Sequence, residues 1–426
     1  SSLSLEDVWK VSAASTRVQL DPAASDRIRK ESPKPGKVVL ENNILSRQGE
    51  TADEPACYLD LEQARATVLF KLVSILNGRS GCRLPLAEFL AGVLNQEVHL
   101  KIPADDTGAE SLRAVADACK GYGAVLKSEA ALEEMLGAAG LAAPGLSEPE
   151  RAVLEAGQSA AGGVAALVCA SGSSTLSAAM AVGALCCEAL QANVSSFSPE
   201  SAEAQPGKAV LAVASELSGM LEGSRQVNAR TGAGPLPPVV EMVQVFGAAR
   251  DALEAVSRAA KAELGTMAMP PGKDGCSPLV PSPAIATASA QLAVALRNAA
   301  LLSIRRTRAM LDRLTSVAAD ECKAAAERMA GALSSSVDAA SNEVGACSSE
   351  AAQCMADIGM AEGRLPELRA AMAAQKCLQA LGASCRIEAL VAVLSLRLQL
   401  KDEPAVAEAD QQAVDGAAGG KKGEKG

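Results

Sequence analysis

The sequence predicts a mainly α-helical protein, and three observations carry that prediction. Alanine and leucine dominate a chain of 426 residues that is 49% hydrophobic but only 2% aromatic, a mixture that favours close-packed helices over sheets. Apolar residues recur every fourth position, as at Leu296, Ala300 and Ile304, with Leu311 and Leu314 extending the stripe. Helix-start signals punctuate the chain: Ser4-Leu5-Glu6-Asp7 places an acidic residue three positions after a capping serine, and Ser147-Glu148-Pro149-Glu150 repeats the box with proline in the first turn. The length is enough for a large core or two coupled domains.

In chain order, the first helix runs from Ser4 to about Ala14, and Ser32-Pro33-Lys34-Pro35-Gly36 is a breaker. Leu61–Asn77 is helical, apolar at Ala64, Val68, Leu72 and Ile75, and Pro85–Leu94 is a second helix. Val98-His99-Leu100 reads as strand-like. Helices open at about Pro149 and at Ser198-Pro199-Glu200. Long helices follow over about Glu241–Leu264, Ala284–Ser316, Ala319–Asn342, Glu350–Gly359 and Leu365–Leu400. Pro-rich turns separate them near Pro235–Pro238 and Met269–Pro283. The predicted domains are 1–205, a helical bundle over 206–400, and a disordered tail over 401–426, acidic and then Gly/Lys-rich.

Composition excludes several functions. A net charge of −10 and a pI of about 5.0 disfavour polyanionic partners, and the Lys and Arg are scattered without interleaved aromatics, which argues against a nucleic-acid surface. The longest apolar run, around Gly162–Cys169, is short and Gly-broken, so no transmembrane segment is expected. The twelve cysteines include no CxxC pair, and Cys186-Cys187 are adjacent. They read as buried thiols of an intracellular reducing compartment, cytoplasmic or organellar, rather than as metal ligands or disulfides. The chain begins at Ser1 without Met, which leads to an expectation of upstream processing or truncation. No Walker or Rossmann glycine pattern occurs. The lone His99 has no nucleophile in its sequence context, Asp105-Asp106 reads as a solvated turn, and Arg305-Arg306-Thr307-Arg308 as a charged face of a long helix, paired across a subunit boundary.

A more specific reading comes from a collinear series of segments. Leu3–Glu31 opens L-S-L-E-D-V and later reads V-Q-L-D-P-A-A. Arg65–Arg83 reads R-A-T-V-L-F-K-L-V-S-I-L-N-G-R-S-G-C-R. Lys101–Ala114 contains I-P-A-D-D-T-G-A-E-S-L, Pro206-Gly207-Lys208 precedes an apolar helix, Gln244–Ala248 is Q-V-F-G-A, and Met355–Gly359 is M-A-D-I-G. In order and content this series resembles the aromatic amino acid ammonia-lyases, the family of histidine and phenylalanine ammonia-lyase, from Leu3 to about Leu400. The resemblance implies a histidine ammonia-lyase-like fold with an N-terminal domain and a central bundle of long antiparallel helices. It also implies tetrameric assembly, with active sites built from loops of several subunits.

The same resemblance implies which groups should do the chemistry, and here the sequence departs. The family builds an electrophilic methylidene-imidazolone (MIO) from an Ala-Ser-Gly triplet, and the matching positions are Ala109, Glu110 and Ser111. Dehydration needs a hydroxyl that Glu110 lacks, and ring closure needs the unhindered nitrogen of glycine. The family's inner loop with its catalytic tyrosine is missing between Arg29-Lys30-Glu31 and Val38-Val39-Leu40. The asparagine of L-x-N-G-T is replaced by Ala156, ahead of Gly157-Gln158. The tyrosine and the carboxylate-binding arginine fall on Pro237 and Val240, and a valine cannot pair with a carboxylate. The G-N-F-H-G segment becomes Cys276–Val280, and the glutamate of N-Q-E-D-H maps to Gln353, with Glu350 nearby. A literal Ala170-Ser171-Gly172 also occurs and reads as chance within an Ala/Ser/Gly-rich helix.

These substitutions lead to the expectation of a catalytically inactive homologue, not an enzyme, without cofactor or metal. It would serve as a structural or assembly subunit, as a homo-oligomer or within a larger protein complex. Alternatives are a divergent MIO-dependent ammonia-lyase or aminomutase using Ala170–Gly172, and a regulatory subunit of an active paralogue.

Overall fold

The computed structural model of the chain describes residues 3–32, 57–128, 130–204, 207–229, 234–269, 282–317, 320–360 and 366–419. Most of the described residues are helical. The helices are α1 (Leu5–Ser12), α2 (Pro22–Glu31), α3 (Leu61–Asn77), α4 (Leu84–Asn95), α5 (Ala109–Ala118), α6 (Leu132–Ala138), α7 (Glu148–Glu155) and α8 (Ser159–Leu190). They continue with α9 (Pro199–Glu203), α10 (Lys208–Met220), α11 (Pro237–Val240), α12 (Met242–Leu264), α13 (Ala284–Val317), α14 (Asp320–Met360) and α15 (Glu367–Gly419). Both predicted capping boxes form, at Ser4/Asp7 and at Ser147/Glu150.

The structure corrects three sequence expectations. The strand at Val98–Leu100 is only an isolated bridge from Leu100 to Val125, and the described residues hold no sheet. The two helices expected over 319–342 and 350–359 are one, α14. A single Gly345 costs a helix only about 1 kcal/mol, and Val344, Cys347 and Ala351 are buried at helical spacing through the supposed gap. Helix α15 carries on through 401–419, where disorder was expected, because Ala, Glu and Gln are strong helix formers.

The chain divides into two compact units, each assembled from three segments. The first comprises Ser1–Thr175, Ala249–Arg297 and Ala346–Gln379; the second comprises Leu176–Ala248, Asn298–Gly345 and Ala380–Gly426. All of these boundaries except 248/249 fall inside the long helices α8, α13, α14 and α15, and that one falls inside α12.

In the first unit, α3 is buried along most of its length, and two of its buried residues are cations. Arg65 donates Nε and Nη2 to Val11 O and Nη1 to Leu94 O, so it binds the last turns of α1 and α4. Lys71 donates to Val153 O and Ala156 O at the end of α7. Helix C-termini carry unpaired carbonyls and a partial negative charge, which is what lets these two cations be buried. Gly163 allows α8 to lie against α3: a Cβ there would stand 2.8 Å from Ala66 C and 2.9 Å from Thr67 N.

In the second unit, Arg306 and Glu388 are fully buried and bonded twice, with Nη2 to Oε2 at 2.9 Å. Burial pulls the guanidinium's affinity for its proton down, but Glu388 more than reverses this. The charged face expected over Arg305–Arg308 therefore holds only in part: Arg306 and Thr307 are buried, while Arg305 pairs with Glu241 and Arg308 with Asp338 at the surface. Three helical stretches, Glu148–Leu190, Ala284–Leu314 and Glu367–Gln399, are long and apolar enough by length and composition to cross a membrane. Half or more of each apolar window is nevertheless buried inside the protein.

Most of the described cysteines are buried or nearly so, and all are free thiols. Burial pushes Cys82, Cys169, Cys187, Cys377 and Cys385 up to about 12. In the unfolded chain thiols ionise near 8.5. Above that pH the unfolded state therefore sheds protons that the folded state keeps, and stability falls from about pH 8.5 toward 12. Lys71 acts in the opposite sense, but as one group against five. Under reducing conditions the melting temperature should drop steeply between pH 8 and 10. A flat profile in thermal-shift measurements would contradict this burial.

Candidate functional site

Four helices of the first unit begin at one place. Helix α5 opens after Gly108, which has φ +80. The Asp105 carboxylate accepts from the backbone amides of Thr107, Ala109 and Glu110, capping the first turn. Asp106 O accepts from the amides of Leu368 and Arg369, the first turn of α15. Gly108 also lies against the first turns of α8 and α15: a Cβ there would be 3.1 Å from Ala160 Cβ and 3.6 Å from Leu368 Cβ.

Gln158, which immediately precedes α8, ties the other ends in. Its Nε2 donates to Ser282 O, just before α13, at 3.0 Å, and to the Glu367 carboxylate that opens α15, at 2.9 Å. Both side chains are buried, Gln158 at 4% exposure and Glu367 at 3%. The Gln158 Oε1 is buried and accepts no hydrogen bond from the described residues. Each helix N-terminus carries about half a positive charge, so four of them together make a field that favours a carboxylate.

The turn that carries Gln158 is fixed from behind. Gly157 has φ +88, a conformation that a side chain would strain. Glu263 accepts from the Gln158 amide at 3.1 Å. Burial raises the Glu263 carboxyl above its usual range, against the pull of Gln158 and Lys71. Burial likewise lowers Lys71 to about 8, with Glu263 working against it. Lys71 and Glu263 thus hold Ala156-Gly157-Gln158 between them.

The residues singled out in the sequence are dispersed by the structure. Ala109, Glu110 and Ser111 form the first turn of α5. Glu110 pairs with Arg113 on the surface, and Ser111 is buried with its hydroxyl on Pro103 O. The triplet therefore offers neither a dehydratable middle residue nor a glycine nitrogen, and an MIO group does not fit it. Ala170-Ser171-Gly172 lies inside α8. The Ser171 hydroxyl is bonded to Leu167 O, and a Cβ on Gly172 would meet Leu253 at 2.8 Å, so this glycine serves helix packing.

Ala156 keeps a place at the site through its carbonyl. Gln353 does not: it is exposed on α14 and bonded to Asp357, while Glu350 pairs with Lys376. Pro237 and Val240 begin and end α11 in the second unit. Cys276–Val280 lies outside the described residues. His99 is half-buried, and burial, then Arg65, lowers its proton affinity. Asp105-Asp106 is a turn with the Asp106 side chain exposed, as expected, and its backbone carbonyl also joins α5 to α15. Among the described residues no cluster of three or more His, Cys, Asp or Glu could hold a metal ion. Sequence reasoning missed Glu367, although Pro366-Glu367 is a proline and acidic helix start.

A family model described as aromatic amino acid lyase matches residues 40–414. Among solved structures, the phenylalanine aminomutase of Pantoea agglomerans aligns at TM-score 0.72 and 18% identity, over 94% of this chain and 90% of that one. Phenylalanine ammonia-lyase of Rhodosporidium toruloides aligns at 0.72 and 18%, over 93% and 68%. The ergothioneine-degrading ergothionase of Treponema denticola aligns at 0.68 and 20%, over 93% and 88%. No curated protein sequence matches. These findings overturn the expectation that the chain is not an enzyme: the family is one of lyases, and all three of these structural neighbours are enzymes.

The knot at Gln158 has a direct test. Gln158→Ala removes a buried side chain's bonds to the Glu367 carboxylate and to Ser282 O, which costs about 1–3 kcal/mol. The variant should melt several degrees lower than the parent. An unchanged melting temperature would show that Gln158 does not join these helices.

Proposed function

Because the chain belongs to the aromatic amino acid lyase family, we propose that it is an eliminating enzyme acting on an amino acid with a self-activated leaving group, a quaternary ammonium. The observation that carries this reading is the Gln158 and Glu367 knot at four helix N-termini, beside a triplet that cannot form an electrophile. A carboxylate base takes the proton from the substrate Cβ, the C–H electron pair becomes the Cα–Cβ double bond, and the Cα–N pair departs with the amine. A primary amine is a poor leaving group unless something activates it. A trialkylammonium is already cationic and leaves as a neutral tertiary amine, so no protein-derived electrophile is needed.

In this reading the helix N-termini receive the substrate carboxylate. The unbonded Oε1 of Gln158 faces the cationic end, and Glu367 is the base, oriented by the Gln158 amide. Lys71 and Glu263 are positioning residues that hold the turn. Support also comes from the fold shared with an ergothioneine-degrading enzyme, since ergothioneine is itself a trimethylammonium betaine. We further propose that the protein self-associates: Leu390 and Val393 are large apolar residues at 51% and 40% exposure, one turn apart on α15.

The test is to offer the purified chain the N,N,N-trimethyl betaines of histidine, phenylalanine and tyrosine beside the parent amino acids, and to follow acrylate formation by absorbance. The betaines should react and the primary amines should not. Glu367→Gln, confirmed as folded by circular dichroism, should lose about 10²–10⁴ in kcat. Equal turnover of the primary amines, or full activity in Glu367→Gln, would contradict the assignment.

A further inference from the structure

A cleft in the first unit shares no lining residue with the site above. It has a volume of about 830 Å³, in the range of small-molecule sites. Its walls come from the start of α1, from α2, from the C-terminal turns of α3 and α12, and from the segment after α12. Val73, Leu76, Leu264 and Met267 make an apolar wall, and Met267 is 57% exposed.

The charged residues of the cleft are unequal in what they have left to offer. Asp21 lines it, but its carboxylate is occupied as the cap of α2, accepting from the Ala23 amide at 3.0 Å. Arg27 and Lys261 also line it, and neither forms an ion pair with a described residue. Arg27 donates one nitrogen to Leu76 O, which leaves the rest of its five-donor fork available. Two cations therefore overhang an apolar wall beside one carboxylate that is partly occupied as a helix cap, which leaves the cleft with a net positive balance.

We propose that this cleft binds an amphipathic carboxylate, with its aryl or alkyl body on Val73, Leu76, Leu264 and Met267 and its carboxylate between Arg27 and Lys261. The guanidinium suits the planar carboxylate fork, and the lysine adds a second, less directional donor. An amine of the same shape would place a cation against two cations and is rejected. This assignment stands apart from the proposed elimination, because none of the groups that do that chemistry line the cleft.

Isothermal titration calorimetry with 3-phenylpropionate, and with 3-phenylpropylamine as its cationic counterpart, tests the proposal on the full chain. The carboxylate should bind and the amine should not. Arg27→Ala and Lys261→Ala should each weaken binding about three- to tenfold, a modest factor because both side chains are solvent-exposed, and added salt should weaken it further. Glu367→Gln should bind as the parent does. Should Arg27→Ala fail to fold, Lys261→Glu, which reverses one charge at an exposed position, carries the same test. The proposal is overturned by absence of heat up to about 5 mM ligand, by equal binding of the amine, or by binding that Glu367→Gln abolishes and the cleft variants leave intact.

Discussion

The first amides of an α-helix have no carbonyl within their own helix to bond, and this chain brings four such ends to one buried place. That constraint organises the first unit. Asp105 answers the start of α5, the Asp106 carbonyl answers α15, and Gln158 reaches from the entry of α8 to those of α13 and α15. The Asp105 cap is local to α5, whereas the bonds of the Asp106 carbonyl and of Gln158 exist only when distant segments of the chain meet. The field they leave is positive, and it exists whether or not an electrophile stands in it.

The opposite ends of the helices are treated in a matching way. Arg65 and Lys71 are placed on the carbonyl termini of α1, α4 and α7, so that burying two cations also satisfies exposed acceptors. Arg83 binds Glu150 through three bonds at the start of α7. Burial disfavours the ionised Glu150, yet the bonds from Arg83 and Ser147 hold its carboxyl below the usual range. Through these links α3 sets where α7 ends, and the end of α7 sets where Gln158 begins. The Arg306–Glu388 pair in the second unit is of another kind, two full charges away from water that must answer each other.

Much of the fold was legible because helix signals are local. The bounds of α3, the boxes at Ser4 and Ser147, and the starts of α12 and α13 follow from spacing and caps that lie within a few residues. The family was legible from order, since short segments such as Arg65–Arg83 and Gln244–Ala248 recur in one sequence of positions. The single helix α14 was hidden because Gly345 looks like a break when its buried neighbours are unknown. The site was less legible still. Asp105 and Asp106 look like a surface turn until the first turn of α15, more than 250 residues away in sequence, is seen resting on the Asp106 carbonyl. Glu367 looks like an ordinary first-turn acid until Gln158 is seen to reach it. The inference from Glu110 and Ser111 to an absence of catalysis went further than residue identities allow.

The central claim is that this protein works without an electrophile made from its own backbone, and its intact mass decides that most directly. High-resolution mass spectrometry of the purified native chain, followed by peptide mapping, should return the mass of the unmodified residues across both 109–111 and 170–172. A species lighter by two waters, localised to either triplet, would show that the chain builds the electrophile after all and would contradict the account.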